Sequence, residues 1–578
     1  MRRSFNIWVF IFLGFLVIGG QAVPQERKQN PAVSENVLIK AETPAAVPER
    51  YRSGFDTITG RDSRIMLSIL ASDLLEGRET GCRGYRLAAD YAASQFALWG
   101  LEPAGDEGGE TGRGYLQEVV MKEYTDLGCT ITWQGGTGEN GSRRSFREGI
   151  DLENYYLNRI PEIVSAPVVF AGYGISEKSV AYDDLADIDI KGKIVMILDE
   201  VPGQGNPASP FMKAELREKY RAASSWMGRL AKANEIAKLG PRAVLVVKNS
   251  LKEGDIYNEM GSTEESDERP LIAEPSRLVT LPGAKRGGGA ICITREMADV
   301  ILSSVGQTIE SLQARIASRW RPASFELAGG TLTIQTTAGS EKLLRCHNVI
   351  GVIPGSDPRL KNEAVIVGAH LDHLGKRGPY VFNGADDNGS GATGVLEMAR
   401  AVAGLPRKPK RSTVFCLWTA EELNLLGSTF YTRRPAFPLA QTVAYLNLDM
   451  IGRAGDAASW SGRLKKLKIP EQVQKMIAPD NFAAVAFAAG LGLGGILQQA
   501  DQAVGLDLWP RAEATVKSSG IVSDYLPFAQ AHVPYIYWEG PRHQDYHQTS
   551  DSLEKIDPEL MAKIIRLAYL SMLALADQ

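Results

Sequence analysis

The chain has 578 residues, of which 44% are hydrophobic and 23% charged, and a formal net charge of −4. Its length exceeds one ordinary hydrophobic core, so two or three domains are expected. The weak acidic balance leaves no electrostatic footprint for nucleic acid and excludes that partner class. Five cysteines without a CxxC pair exclude a disulfide-dense scaffold, although a Cys82–Cys129 bridge stays open in an oxidising compartment.

At the start, Arg2 and Arg3 precede an apolar run, Ile7 to Ile18, that ends in Gly19, Gly20 and Ala22. This run is shorter than the roughly 20 residues of a membrane span. It has the form of a secretory signal over 1–22, cut after Ala22, so the protein is expected to be secreted or periplasmic with no membrane anchor left. Residues 23–50 are rich in Pro, Gln, Glu and Lys and read as a flexible lead-in. A helical pattern begins near Asp62, and GYRLAADYAASQFALWGL (Gly84 to Leu101) has helical apolar spacing.

From about Ala166 the texture turns to strands, APVVFAGYGI and KGKIVMIL, joined by the acidic YDDLADID. Ala231 to Leu239 reads as helix, AVLVVKN as strand, STEESDE as a solvated loop, and Glu296 to Trp320 as one helix. The α/β pattern resumes near Leu332. The division implied is a first catalytic part at 51–164, a β-rich insert at 165–325 and the main catalytic domain at 326–578.

Four later runs, EAVIVGA, STVFCLWTA, TVAYLNL and VPYIYWE, read as buried strands, and charged motifs follow them. Open α/β sheets build their sites at such strand ends. His370 and Asp372 follow the first run, and Asp372 is placed to accept a hydrogen bond from the free ring nitrogen of His370. The glycine-flanked pair Asp386-Asp387 precedes a helix over Gly391 to Val402, and Asp387 suits bridging two cations. Glu421 and Glu422 are adjacent like charges after a hydrophobic strand, a costly burial unless a cation compensates. Of this pair, one can bind metal while the other faces substrate as a proton shuttle. Asp449 tips the third strand, and His547 follows the fourth within a polar loop. His373 has no role assigned by its position. Gly490, Gly492 and Gly495 fit GxGxxG, but the alanine-rich stretch before them does not read as a strand, so no dinucleotide cofactor is expected.

Together these motifs, with the lead-in LASDLLEGRETGCRGYRLAADYAASQFALWGLEPAG and NVIGVIPG, resemble the di-zinc exopeptidases that include bacterial leucine-type aminopeptidases and glutamate carboxypeptidase. VVFAGYGI followed by YDDLADIDIKGKIVMIL resembles a protease-associated domain. The resemblance implies a three-layer α/β/α sandwich with a mixed, mostly parallel central sheet, interrupted by the insert. It implies two zinc ions, one held by His370, Asp387 and Asp449, the other by Asp387, Glu422 and His547. It makes Glu421 the general acid/base, Asp372 the partner of His370, Tyr546 the support of the oxyanion, and Asp387-Asn388 a cis peptide. The implied substrate is a peptide, cleaved as by an aminopeptidase. A carboxypeptidase is the alternative, with Arg377, Arg453 and Arg542 as candidate carboxylate holders. Tyr380, Phe382, Tyr525 and Phe528 are open between pocket lining and core. A glutaminyl-cyclase-like transferase or an inactive binding protein fits less well, because all five ligands and Glu421 are present.

Overall fold

The computed structural model describes residues 45–106, 112–135, 142–154, 161–220, 226–248, 277–284, 290–454, 469–512, 522–540 and 543–578. The signal segment, most of the lead-in and the STEESDE loop lie outside them. Among the described residues no helix is long and apolar enough to cross a membrane.

Four strands form the centre of a ten-stranded sheet, in the order Ser412–Trp418, Ala364–His370, Thr442–Asp449, Tyr535–Glu539. They are the four apolar runs read from the sequence, and all three ladders between them are parallel. Parallel strands covered on both faces need continuous apolar runs rather than alternation. Val365, Val367 and Ala369 enter one core with helices Gly391–Ala403 and Pro558–Asp577. Ala364 and Ile366 enter another, with Tyr431 and Phe528 of helices Leu426–Arg433 and Tyr525–Gln530. Helices thus cover both faces, giving three layers. The sheet is mixed, with parallel strands at its centre. The long strands Ser340–Ile353 and Leu116–Thr125 extend one flank antiparallel, and Phe482–Phe487 pairs antiparallel with Tyr535–Glu539 on the other.

The middle of the chain forms separate sheets, and their hydrogen bonds redraw the expected limits of 165–325. A six-stranded sheet holds four parallel strands, Val168–Phe170, Ile194–Leu198, Ala243–Lys248 and Ala290–Thr294. One of its edges is Leu152–Asn154, from before the expected boundary. A four-stranded antiparallel sheet joins Gly128–Gly135, Ser142–Arg147 and Glu162–Ala166 to Gly330–Thr337, on both sides of the boundaries. Conversely, Arg277–Thr280 leaves the intervening region and pairs with the edge of the central sheet.

Two local expectations change. The helix expected over 296–320 is two, Arg295–Leu302 and Ile309–Arg319. Gly306 turns left-handed between them, and Thr308 restarts the helix through a capping box with Ser311. The alanine-rich stretch before the GxGxxG glycines is a strand after all, Phe482–Phe487, because small side chains fit a site buried on both faces. No disulfide joins the cysteines among the described residues: Cys82 is exposed and the other four are buried.

Candidate active site

The carboxyl ends of the four central strands and their loops bring the expected ligand residues together. His370 is the last residue of its strand and Asp449 the last of its neighbour, so parallel pairing sets them side by side. His370 Nε2 lies 3.4 Å from Asp387 Oδ1 and 3.5 Å from Asp449 Oδ1. On the other side of Asp387, His547 Nε2 lies 3.2 Å from Oδ2 and 3.3 Å from Glu422 Oε2. The two oxygens of Asp387 therefore face two different histidines. Glu421 Oε2 stands 3.8 Å from His370 Nε2.

The carboxylates are held by bonds that use one oxygen and leave the other. Ser523 donates to Asp449 Oδ2 at 2.6 Å. It ends a buried chain in which Trp418 donates to Tyr445, Tyr445 to Asn447, and Asn447 to Ser523. Every donor in that chain points toward Asp449, which fixes it as an acceptor. Asp449 Oδ1 and His547 Nε2 are buried without a hydrogen-bond partner among the described residues. Asp551 accepts from the backbone amides of Asp386 and Asp387 at 3.0–3.1 Å and pins the loop that carries the shared carboxylate. The Asp387-Asn388 peptide is cis. Buried carboxylate oxygens and imidazole nitrogens gathered on the two sides of Asp387 form a set that suits divalent cations.

The sequence model of peptidase family M28 matches residues 348–572, which hold every one of these candidate ligand residues. This part of the chain is similar to the M28 peptidases. Leupeptin-inactivating enzyme 1 of Streptomyces exfoliatus is 40% identical over 129 residues, 22% of this chain and 27% of that protein. "Probable glutamate carboxypeptidase AMP1" of Arabidopsis thaliana is 31% identical over 156 residues, 26% of this chain and 21% of that one. Leucine aminopeptidase 2 of Trichophyton rubrum is 41% identical over 106 residues, 18% of this chain and 19% of that one. The matched segments thus span between a fifth and about a quarter of these relatives.

Electrostatics in the site follow from crowding carboxylates in a buried place. Burial raises Glu421 well above the usual carboxylate range, and Glu422, Asp524 and Asp449 raise it further. Burial opposes ionisation of Asp387 too, but His370 and His547 carry it well below its ordinary value. Glu422 falls to about 2: burial works against this, and His547 outweighs it. Burial would lower His370, yet Glu421 and Asp449 hold it well above an ordinary imidazole. The two adjacent glutamates are thereby separated in character, with proton affinity raised at Glu421 and lowered at Glu422.

Three placements differ from expectation. His370 Nδ1 is 3.0 Å from the backbone carbonyl of Asp372, while the nearest Asp372 carboxylate oxygen is 4.0 Å away. The Asp372 carboxylate instead accepts from the amides of Glu421 and Glu422, at 3.1 and 3.4 Å, because the first strand's loop crosses under the turn after the second. His373, given no role by its position, is buried, with Nδ1 2.8 Å from Glu422 Oε1. His547 faces the other oxygen of that carboxylate. Asp524, fully buried and raised by that burial to about 7, accepts from Ser428 at 2.5 Å and leaves Oδ2 without a partner. A histidine three residues after a ligand was the one available signal for His373; nothing local marked Asp524.

Tyr546 is half-buried, and its ring stacks on His547 at 3.9 Å. Of the candidate lining residues, Tyr525 and Phe528 are core, Phe528 stacking on Tyr445 at 3.9 Å. Tyr380 is exposed, and Phe382 is buried on the same hairpin. Arg377 pairs with Glu79 at 2.9 Å and Arg453 with Asp545 at 3.1 Å; Arg542 lies outside the described residues.

Proposed function

We propose that the chain is a di-zinc exopeptidase, acting as an aminopeptidase. The observation that carries this is Asp387, whose two oxygens face two separate ligand sets. His370 and Asp449 would complete one zinc site, and Glu422 and His547 the other. Bound there, the ions would supply Lewis acidity toward a peptide carbonyl and make a water nucleophilic near neutral pH.

Glu421 accepts the proton of the attacking water at a carboxylate oxygen and passes it to the departing amine nitrogen. Its raised proton affinity suits it to hold that proton between the two steps. Asp372 sets the backbone that aims Glu421, and His373 orients Glu422 so that one oxygen is left for metal. Tyr546, stacked on His547, holds that ring and supports the oxyanion. For the aminopeptidase reading, the carboxyl groups of Glu421, Asp449 and Asp524 offer hydrogen-bond acceptors to a free ammonium. Arg377 and Arg453, two of the three candidate cations for a terminal carboxylate, each already have a carboxylate partner. The intervening sheets form the inserted protease-associated domain, and the signal at 1–22 directs the protein to the periplasm or outside.

The test is zinc-loaded protein on paired peptides, with the N-terminus and the C-terminus free or blocked in turn. Release of the first residue from the free-amine peptide alone supports the reading. Cleavage that tolerates a blocked amine but needs a free C-terminal carboxylate replaces it with carboxypeptidase action.

A further inference from the structure

The M28 match begins at residue 348, yet the site is braced by a tripeptide far upstream, Arg78-Glu79-Thr80. Arg78 is 1% exposed. Its Nε donates to the Leu371 carbonyl at 2.8 Å, Nη1 to the Asn383 carbonyl at 2.7 Å and Nη2 to the Gly384 carbonyl at 3.0 Å. Nη1 also donates to the Leu70 carbonyl, and the Arg78 carbonyl accepts from the amide of His373 at 3.2 Å. One guanidinium therefore ties the loop after His370 to the loop before Asp387.

Thr80 does the same for the glutamates. Its hydroxyl donates to Asp372 Oδ2 at 3.0 Å and accepts from the Ala420 amide at 3.0 Å. Asp372 in turn accepts from the amides of Glu421 and Glu422, so the backbone of residues 420–422 hangs from Thr80 and Asp372 together. Glu79 secures the outer end, pairing with Arg277 at 2.5 Å and Arg377 at 2.9 Å.

A fully buried arginine is costly unless it is satisfied, and one that only capped a turn would not need to reach three segments. Burial pushes Arg78 down to about 10, against the pull of Asp551, Asp387, Asp372 and Glu422. Its hydrogen bonds go to neutral carbonyls, and among the described residues its charge is met by these carboxylates at a distance rather than by a direct ion pair.

We propose that Arg78 and Thr80 are positioning residues of the metal site: Arg78 fixes the two ligand loops, and Thr80, through Asp372, fixes the backbone that aims Glu421. This rests on the metallopeptidase reading above. The experiment compares Thr80→Val, Thr80→Ser and Arg78→Lys with wild type, measuring bound zinc by elemental analysis, zinc affinity by chelator competition, and kcat and KM separately. Thr80→Val is expected to keep its zinc and its KM while kcat falls about 10- to 100-fold, the usual cost of losing an outer support. Thr80→Ser, which keeps the hydroxyl, is expected to restore kcat. Arg78→Lys, which loses the fork that spans the loops, is expected to bind zinc about 10- to 100-fold more weakly. Wild-type kcat in Thr80→Val, or an equal loss in Thr80→Ser, overturns the role of Thr80. Unchanged zinc affinity in Arg78→Lys overturns that of Arg78. Zinc binding is read without substrate, so a wild type that binds no zinc refutes the metallopeptidase reading itself, and this inference with it.

Discussion

Replacing His373 should weaken one metal position and spare the other. Its Nδ1 donates to Glu422 Oε1 at 2.8 Å, while Glu422 Oε2 faces His547 at 3.3 Å. The bond is to a carboxylate, a class whose loss costs about 1.5–3 kcal/mol. At about 1.4 kcal/mol per tenfold, that corresponds to roughly 10- to 150-fold in the dissociation constant of the zinc held by Glu422. The other proposed position would use His370 and Asp449 with Asp387, and His373 Nδ1 lies 3.9 Å from Asp387 Oδ2. His373→Leu removes the donor at similar bulk, and His373→Asn sets an amide nitrogen near where Nδ1 stands. Titrating metal-free protein with zinc against a chromophoric chelator, fitted to two sites, reads both affinities at once. Selective weakening of one equivalent in His373→Leu, with partial recovery in His373→Asn, is expected. Two equivalents that weaken together, or neither weakening, would refute the orienting role of His373.

Glu421→Gln should retain both zinc equivalents while kcat falls by about 10²- to 10⁴-fold, since the proton shuttle is removed and no ligand is; kinetics beside elemental analysis checks this. Gly384→Ala should abolish zinc binding. Gly384 has φ +52, and an added Cβ would stand 2.0 Å from the Asp387 carbonyl oxygen, so the loop must shift the shared ligand. Full zinc occupancy in that variant would contradict the geometry. In the intervening region, Lys219 and then Ser179 hold Glu177 down to about 2 from 4.5. A depressed carboxylate contributes stability that is complete above about pH 4.5 and is lost as pH falls toward 2. Glu177→Gln should therefore lower the urea midpoint at pH 6 and converge on wild type in acid; a constant difference across that range would count against the pairing.

The sequence by itself determined the four central strands and marked the candidate ligand residues at their ends and in the loops beyond. Runs such as AVIVGAH and TVAYLNLD are buried on both faces, so their apolar continuity is local information, and a charge at the tip of such a run needs a reason. It did not determine which neighbours hold those charges. The alanine-rich Phe482–Phe487 lacks the bulk that marks a strand, and it is held as one between Tyr535–Glu539 and Asp507–Ala512. Glycine and a capping box split one apparent helix at Gly306, where apolar periodicity runs through the break. Sequence spacing placed Asp372 beside His370, but its carboxylate serves Glu421 and Glu422, about fifty residues on. Arg78 and Thr80 lie some 300 residues from the loops they brace. Such contacts are set by how strands cross over in the sheet and by which loops the crossovers bring together. Periodicity carries no record of that, so the tertiary structure alone decided how the ligands are held.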